Sequence, residues 1–304
     1  MNADALDHRF LREFLTVAQE GSIRRAAEKL NIVPSAISRK LADAEARLGV
    51  QLFERSSTGM QLTDAGRLVL DHANHLREEQ DYVLDLLGQY RNETRRVVRL
   101  GVGEGFAADL MQNGLRHLMA DYPGLSYDIR MAGTDALLRM VADGQVDISL
   151  AYNPILVPGT RALAIGQQPL CAIVPVTSPL IGRSDVTLLE LLDQPMMILN
   201  AAHGIRQLVA RAAADQGQSL HPVAETDSVL MLIRFVTAGL GITFLPRFAA
   251  TIQAERGELA IIPIREPLFH SASAHAIVRA RRRLPSSVDA VATILARNMV
   301  AFQG

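Results

Sequence analysis

The side chains with the clearest chemical potential lie close together in residues 26–41, AAEKLNIVPSAISRKL. Ser35 and Ser38 carry hydroxyls that donate and accept hydrogen bonds, and Arg39 carries a guanidinium that can form two parallel ones. Such groups contact the phosphate oxygens and base edges of nucleic acids. Residues 31–34 end in proline and cannot all be helical, so two separate helices must position these side chains.

Three amphipathic helices are predicted around this stretch, with Gly21 ending the first and Ser22 capping the second. Their apolar faces are Phe10, Phe14, Val17 and Ala18; Ile23, Ala26, Ala27 and Leu30; and Ile37, Leu41, Ala44 and Leu48. Pro34 fits the first turn of the third helix. On a helical wheel Ser35 and Arg39 point away from the apolar face, with Ser38 on its flank. The pattern predicts a helix-turn-helix whose second helix enters a DNA major groove. A plain surface helix pair in an all-α domain is the alternative.

The residues that follow, VQLFERSSTGMQLTDAG, predict a wing of two short strands around a turn. Arg55 lies on this wing, where it could reach phosphate or the minor groove. The net charge of −1 means that any phosphate binding must come from a local basic patch. Because Lys29 and Lys40 are the only lysines, arginine would supply most of that charge.

Length and composition indicate an ordinary soluble protein of more than one domain, with 304 residues, 49% hydrophobic and 21% charged. No apolar run is long enough to span a membrane, and the N-terminus does not resemble a secretory signal. The single cysteine, Cys171, excludes an intrachain disulfide and a cysteine-cluster zinc site. These features favour the cytoplasm.

A long helix is predicted from Thr63 to about Arg91. The residues Val69, Ala73, Leu76, Gln80, Val83 and Leu87 alternate at spacings of four and three, which is typical of a coiled-coil seam. A simple connector is the alternative, but the seam favours dimerisation, which a helix-turn-helix needs to bind two half-sites. His72 and His75 on this helix lack a third metal ligand nearby, so solvated histidines are expected.

The second half alternates strands and helices from Val97 onward, which predicts an α/β fold with largely parallel sheets in two lobes. Loops at the strand ends would converge on a cleft between the lobes. The glycines of Gly101-Val102-Gly103-Glu104-Gly105 do not fit a dinucleotide fingerprint, because the third comes too early. The sequence also lacks a nucleophile elbow, a zinc-protease motif and a Walker loop, and Cys171 sits in an apolar strand as an inert core residue. We therefore expect no enzyme, metal or cofactor.

Residues 14–66 closely resemble the N-terminal domain of LysR-type transcriptional regulators. The matching elements are Ala26-Ala27, Leu30, Ser38-Arg39, Leu48-Gly49, Leu52-Phe53-Glu54-Arg55, Leu62-Thr63 and Ala65-Gly66. Val33 stands where the family usually has a capping Ser or Thr, and Arg24 and Arg25 replace a Phe-Thr-like pair. The spacing and the resemblance together predict these DNA-binding residues: Ser22, Arg24, Arg25, Pro34, Ser35, Ser38, Arg39, Lys40, Arg55 and Thr63.

The second half is similar to the LysR effector domain, itself similar to periplasmic binding proteins, in YPGLSYDIRMAG, GQVDISLAYNP and VTAGLGITFLP. The resemblance implies effector contacts at the strand ends and helix N-termini: Glu104, Gly105, Phe106, Thr134, Tyr152, Asn153, His203, Gly204, Arg206, Thr226, Asp227 and Ser228. Plain helix capping is the alternative for Thr134 and Asp227. Glu104 stands where the family commonly has Ser or Thr. Its carboxylate would repel an acidic effector unless Arg206 or His203 offsets it, and the effector is otherwise neutral or carries an amine.

The expected fold is α/β with an N-terminal winged helix-turn-helix (1–62), a coiled-coil linker helix (63–91) and a two-lobed, periplasmic-binding-protein-like effector domain (92–304). By analogy, the first lobe covers about 92–162 and 270–304, and the second about 163–269. The expected function is transcription regulation through double-stranded DNA, modulated by a small-molecule effector. The expected assembly is a homodimer or homotetramer, without membrane association; contact with RNA polymerase stays open. Two alternatives remain: a DNA-binding protein whose second half only oligomerises, and a small-molecule enzyme fused to a DNA anchor.

Overall fold

The structure is a computed structural model that describes residues 3–56, 59–91, 96–280 and 284–303. At positions 3–4, 55–56, 78, 81–82, 85–86, 88–91 and 96 it describes the backbone and not the side chain. The chain divides into two compact units, Met1–Tyr90 and Arg91–Gly304, and each is described by itself.

The first unit contains the three predicted helices, the predicted wing and the long helix. Its elements are a 3₁₀ turn (Ala3–Leu6), α1 (His8–Glu20), α2 (Ile23–Leu30), α3 (Pro34–Leu48), β1 (Phe53–Ser56), β2 (Gly59–Leu62) and α4 (Asp64–Arg91). Gly21 takes a left-handed conformation after α1, and Ser22 caps α2 by accepting from the Arg25 amide. Val33 makes no side-chain cap at α3, as its missing acceptor predicts, and Pro34 begins the helix.

The core of the first unit forms around Phe14, which is fully buried and packs against Phe53 of β1 with ring centroids 5.0 Å apart. Ile37, Leu41 and Ala44 of α3 join it. The wing is attached because the buried Glu45 accepts hydrogen bonds from the Leu52 amide at 2.7 Å and the Phe53 amide at 3.2 Å. The axis of α3 is thereby fixed relative to the wing.

The prediction of a continuous coiled-coil seam on α4 was wrong at its beginning. Val69 and Ala73 are buried in the core of the first unit, so they cannot face a partner chain. Gln80 lies with its Oε1 2.8 Å from His8 Nε2, which ties the helix to α1. The remaining apolar positions, Leu76, Val83 and Leu87, are exposed together with Leu84.

The second unit is a mixed α/β structure. Its strands are β3 (Arg96–Val102), β4 (Leu125–Met131), β5 (Ile148–Tyr152), β6 (Thr160–Gln167), β7 (Leu170–Pro175), β8 (Met197–Leu199), β9 (Ala224–Thr226), β10 (Thr243–Pro246), β11 (Leu259–Pro263) and β12 (Ser273–Arg279). Its helices are α5 (Ala107–Asp109), α6 (Arg116–Asp121), α7 (Thr134–Ala142), α8 (Leu188–Leu192), α9 (Gly204–Asp215), α10 (Val229–Thr237), α11 (Arg247–Glu255), α12 (Pro267–His270) and α13 (Ser286–Asn298). A π-helical segment (Leu110–Leu115) joins α5 to α6, and 3₁₀ turns cover Glu104–Phe106 and Val300–Phe302.

The strands form a five-stranded sheet, β4-β3-β5-β12-β6, a three-stranded sheet, β10-β7-β11, and the pair β8-β9. The expectation of largely parallel sheets was wrong, because β12 runs antiparallel to both β5 and β6, and β7 antiparallel to β10 and β11. Parallel pairing is confined to β3-β4, β3-β5 and β8-β9 among the described strands. β6 belongs to the five-stranded sheet up to Gln167. The chain therefore passes from the first lobe to the second after the position near 162 that was predicted.

The described part of the chain contains no helix that is both long and apolar enough to cross a membrane.

Candidate DNA-binding surface and effector cleft

The outward face of α3 carries the three polar side chains that were predicted to contact DNA from this helix. Ser35, Ser38 and Arg39 are exposed, as is Pro34 at the start of the helix. Ile37 and Leu41 are buried on the opposite face, so helical periodicity fixes this orientation. Arg39 makes no hydrogen bond or ion pair with any described residue. Its guanidinium is therefore available to an external acceptor.

Lys40, the next residue, has a different environment. Its ammonium lies 2.5 Å from Glu13 Oε1 on α1, and the Glu13 side chain is only 3% exposed. Arg9 approaches the same oxygen at 3.5 Å but is itself largely exposed. A buried carboxylate needs a nearby cation, so Lys40 holds α3 against α1. Lys40 was predicted among the DNA-binding residues, and its pairing with Glu13, 27 residues away, was not predicted.

Other predicted DNA-binding residues are engaged inside the unit. The Thr63 hydroxyl donates to the Gln51 carbonyl at 2.7 Å and accepts from the Gly66 amide at 3.0 Å, which caps α4. Arg24 is exposed and pairs with Glu28 at 3.3 Å, and Arg25 is exposed and donates to the Glu20 carbonyl. Arg55 lies in β1, and its side chain is outside the described residues.

In the second unit the predicted effector residues gather at a small cavity of about 30 Å³. Seven of the twelve line it: Glu104, Gly105, Phe106, Thr134, Tyr152, His203 and Gly204. They come from the ends of β3 and β5 and the start of α7 on the side of the five-stranded sheet, and from the start of α9 on the side of the smaller sheets. The strand-end rule therefore located the cavity. Its volume is far below the roughly 300–1,000 Å³ of ordinary ligand pockets.

The other five predicted residues do not line the cavity. Arg206 was considered as a cation that could offset the charge of Glu104, but its guanidinium lies 3.6 Å from Glu225 instead. Asp227 is exposed and does not cap α10; Ser228 is the cap, accepting from the Met231 amide at 3.3 Å. Thr226 Oγ1 accepts from the Ser228 amide, and Asn153 has a positive φ of 47° at the end of β5.

The Glu104 carboxylate is bound at the N-terminus of α10. Its Oε1 accepts from the Ser228 hydroxyl at 3.0 Å and from the Leu230 amide at 3.3 Å, and its Oε2 accepts from the Val229 amide. Nearby, Thr134 is only 7% exposed, and its hydroxyl accepts from the Gly204 amide at 3.1 Å, so it does not cap its own helix. Both contacts join the side of the five-stranded sheet to the side of the smaller sheets.

His203 is the titratable side chain at the mouth of this arrangement. Burial lowers its pKa below the ordinary 6.5, and the negative charges of Asp227, Glu104 and Asp135 act in the opposite direction. The charges of these three carboxylates favour a cationic or neutral group over an anion near the imidazole. The neutral imidazole can still donate or accept one hydrogen bond.

Apolar residues that the sequence analysis missed complete the cavity. Phe248 packs against Phe106 with centroids 4.8 Å apart and lies 6.4 Å from Tyr152, whose hydroxyl donates to the Gln168 carbonyl at 2.8 Å. Leu199, Val229 and Pro246 also line it. Pro246 ends β10 and Phe248 is the second residue of α11, so the strand-end rule applied to the end of GITFLP could have found this part of the cavity. Cys171 is buried, and burial raises the pKa of its thiol, as expected of an inert core cysteine.

The exposed His72 and His75 of α4 have no further ligand beside them: among the described residues, no three His, Cys, Asp or Glu side chains are grouped to hold a metal ion.

Comparison with known proteins agrees with both units. Residues 8–67 match the bacterial regulatory helix-turn-helix proteins of the lysR family, and residues 91–300 match the LysR substrate binding domain. The HTH-type transcriptional regulator YofA of Bacillus subtilis is 30% identical over 79% of this chain and 81% of its own length. A full-length OxyR variant from Pseudomonas aeruginosa superposes with a TM-score of 0.77 at 22% identity, covering 97% of this chain and 96% of OxyR. Full-length CbnR, solved with its target DNA, gives 0.56 at 18%, covering 94% and 97%.

A winged helix-turn-helix followed by a linker helix and a ligand-binding α/β domain defines a one-component transcriptional regulator. The chain belongs to the LysR family of bacterial transcriptional regulators. It is a DNA-binding protein whose operator binding is modulated by a small-molecule effector. The predicted family, fold class and function are confirmed. The similar proteins are transcriptional regulators, which are not enzymes.

Proposed function

We propose that α3 lies in the major groove of operator DNA and that Arg39 reads a base there. The observation that supports this assignment most strongly is the exposed guanidinium of Arg39, which has no partner among the described residues. A bidentate contact to the O6 and N7 atoms of guanine suits its geometry. Ser35 and Ser38 lie beside it and contact phosphate or base edges.

The wing and the linker helix have supporting roles in this proposal. Arg55 contacts the phosphate backbone or minor groove from the wing. The exposed apolar residues Leu76, Val83, Leu84 and Leu87 of α4 form the contact with a second copy, because an isolated helix would leave this surface in water. Two copies then place two reading helices on two half-sites. The proposed division of the chain remains 1–62, 63–91 and 92–304.

We also assign the effector to the cleft at Glu104, Thr134 and His203. Helix N-termini and strand ends from distant parts of the sequence meet there, which is where ligands bind in folds of this kind. The cavity of about 30 Å³ is too small for a metabolite, so effector binding must move the two sides of the cleft apart. Such a movement changes DNA affinity only by the difference in effector affinity between the two arrangements.

We infer that the protein has no catalytic activity and acts in the cytoplasm. None of the polar groups that line the cavity forms a nucleophile–base pair with another, and the buried Cys171 has a raised pKa. Two alternative functions remain distinguishable from this one: a second unit that only assembles copies, and an enzyme tethered to DNA.

One experiment separates the three. The full-length protein is screened by thermal unfolding against a library of small metabolites, since a ligand of the native state raises Tm by mass action. Each stabilising compound is then tested for its effect on the affinity for selected genomic DNA fragments. A compound that raises Tm and changes DNA affinity supports the proposal. Stabilisation without any change in DNA affinity contradicts it, turnover of the compound indicates an enzyme, and no stabilising compound favours an assembly domain.

A further inference from the structure

One anion-binding position of the cleft, the N-terminus of α10, is already occupied by the chain itself. Glu104 follows the end of β3 in the five-stranded sheet, whereas Ser228 and α10 lie 124 residues later on the opposite side of the cleft. The Glu104 carboxylate accepts from the Ser228 hydroxyl and from the amides of Val229 and Leu230. A third amide, that of Met231, donates to the Ser228 hydroxyl.

These contacts saturate the first turn of α10. The N-terminal amides of a helix lack partners within the helix and carry partial positive charge, so a carboxylate placed there is stabilised. With Glu104 and Ser228 in place, the amides of residues 229–231 all have acceptors. An external anion would have to displace Glu104 to reach them.

A second contact closes the same cleft a short distance away. The Gly204 amide donates to the Thr134 hydroxyl, and a Cβ on Gly204 would stand 2.3 Å from the Tyr152 carbonyl oxygen. The backbone of α9 therefore already lies against the end of β5. Together the two contacts explain why the cavity is so small.

We propose that Glu104 is an internal substitute for the anionic group of a ligand and holds the cleft closed when no effector is bound. An anionic effector would have to displace the Glu104 carboxylate from the N-terminus of α10 and then lie beside it, so we expect a neutral or cationic effector. The statement about effector class rests on the proposed function. The closing contact itself does not, because it can be measured without DNA or effector.

The test is hydrogen exchange by mass spectrometry on the full-length protein, with Glu104→Ala and Glu104→Gln. Glu190→Ala is the matched control, because Glu190 also caps a helix of this unit, accepting from the Thr187 amide at 2.8 Å, but does so within one side of the cleft. Loss of a charged hydrogen bond predicts that the amides of residues 229 and 230 exchange about tenfold faster in Glu104→Ala. Glu104→Gln keeps one acceptor oxygen, so the exchange rates of these amides should lie between those in Glu104→Ala and those in the natural protein. Glu190→Ala should leave these amides unchanged.

Sodium acetate is the probe for the vacated position, titrated against sodium chloride at equal ionic strength. Acetate should slow the exchange of residues 229 and 230 in Glu104→Ala and raise its Tm, with no such effect on the natural protein. Unchanged exchange in both Glu104 variants overturns the closing contact. Faster exchange that acetate does not reverse overturns the role of Glu104 as a substitute for a ligand anion. Both outcomes are distinct from a failure to regulate DNA binding, which concerns the proposed function alone.

Discussion

Replacing Lys40 by methionine should destabilise the first unit without removing a DNA contact. The variant keeps the aliphatic stem and leaves Glu13, 3% exposed, without the ammonium 2.5 Å away. Stranding a buried charge costs about 3–5 kcal/mol when the pair is fully buried. Lys40 is one-third exposed and Arg9 remains near Glu13, so we expect a smaller cost, about 2–3 kcal/mol. For a unit of this size that lowers Tm by roughly 10 °C or more.

The assay is a double-mutant cycle of Lys40→Met and Glu13→Gln on the full-length protein, followed by calorimetry of the transition of the first unit. The double variant carries no stranded charge and should recover at least about 1 kcal/mol relative to the sum of the single variants. Arg39→Ala is the control, because Arg39 is adjacent in sequence but exposed and makes no ion pair within the described part of the chain; the Tm of this variant should equal that of the natural protein. If Lys40→Met keeps the natural Tm and loses DNA affinity as Arg39→Ala does, Lys40 is a DNA contact and the reasoning fails.

Three further predictions concern assembly and the cleft. Leu76→Asp with Val83→Asp should split the oligomer and abolish operator binding, because unpaired charge would enter the contact; light scattering that still gives the full mass moves that contact elsewhere. Thr134→Val should lower the free energy of unfolding of the second unit by about 1–3 kcal/mol, because the Gly204 amide loses its acceptor, while Thr134→Ser keeps it; equal stability of the two variants in urea unfolding refutes that role. Burial lowers the pKa of His203 in the folded protein. As the pH falls, this histidine is therefore protonated in the unfolded chain before it is protonated in the folded one. The contribution of His203 to the free energy of unfolding is therefore complete above about pH 6.5 and declines as the pH falls below it. His203→Gln should make the free energy of unfolding depend less steeply on pH between about pH 7 and pH 5. An unchanged pH dependence contradicts the assignment.

Residues whose role follows from local periodicity could be predicted from the sequence. The buried Ile37 and Leu41 determine which way Ser35 and Arg39 point, and strand ends located seven of the cavity residues. Contacts between distant segments could not be predicted this way. Lys40 pairs with Glu13 across 27 residues, and Glu104 reaches Ser228 across 124, so no spacing rule connects them.

The sheet and the linker helix show the same limit. β12 enters the five-stranded sheet from near the end of the chain and runs between β5 and β6, which makes the pairing mixed. On α4, a 3.5-residue and a 3.6-residue repeat cannot be distinguished over two turns, so Val69 and Ala73 fitted a partner-facing seam although they pack in their own core.

The orientation of α3 on DNA is tested most directly by comparing Arg39→Ala with Arg47→Ala in binding to a selected genomic fragment and its single-base variants. Both arginines are exposed on the same helix, but Arg47 lies in its last turn, away from the N-terminal half that enters the groove. Arg39→Ala should weaken binding by about 1–3 kcal/mol per half-site and remove the preference at one base position. Arg47→Ala should leave the base preference unchanged. It should lower the affinity by no more than a small factor that is the same for every base variant. Retention of both affinity and base preference by Arg39→Ala would contradict the account.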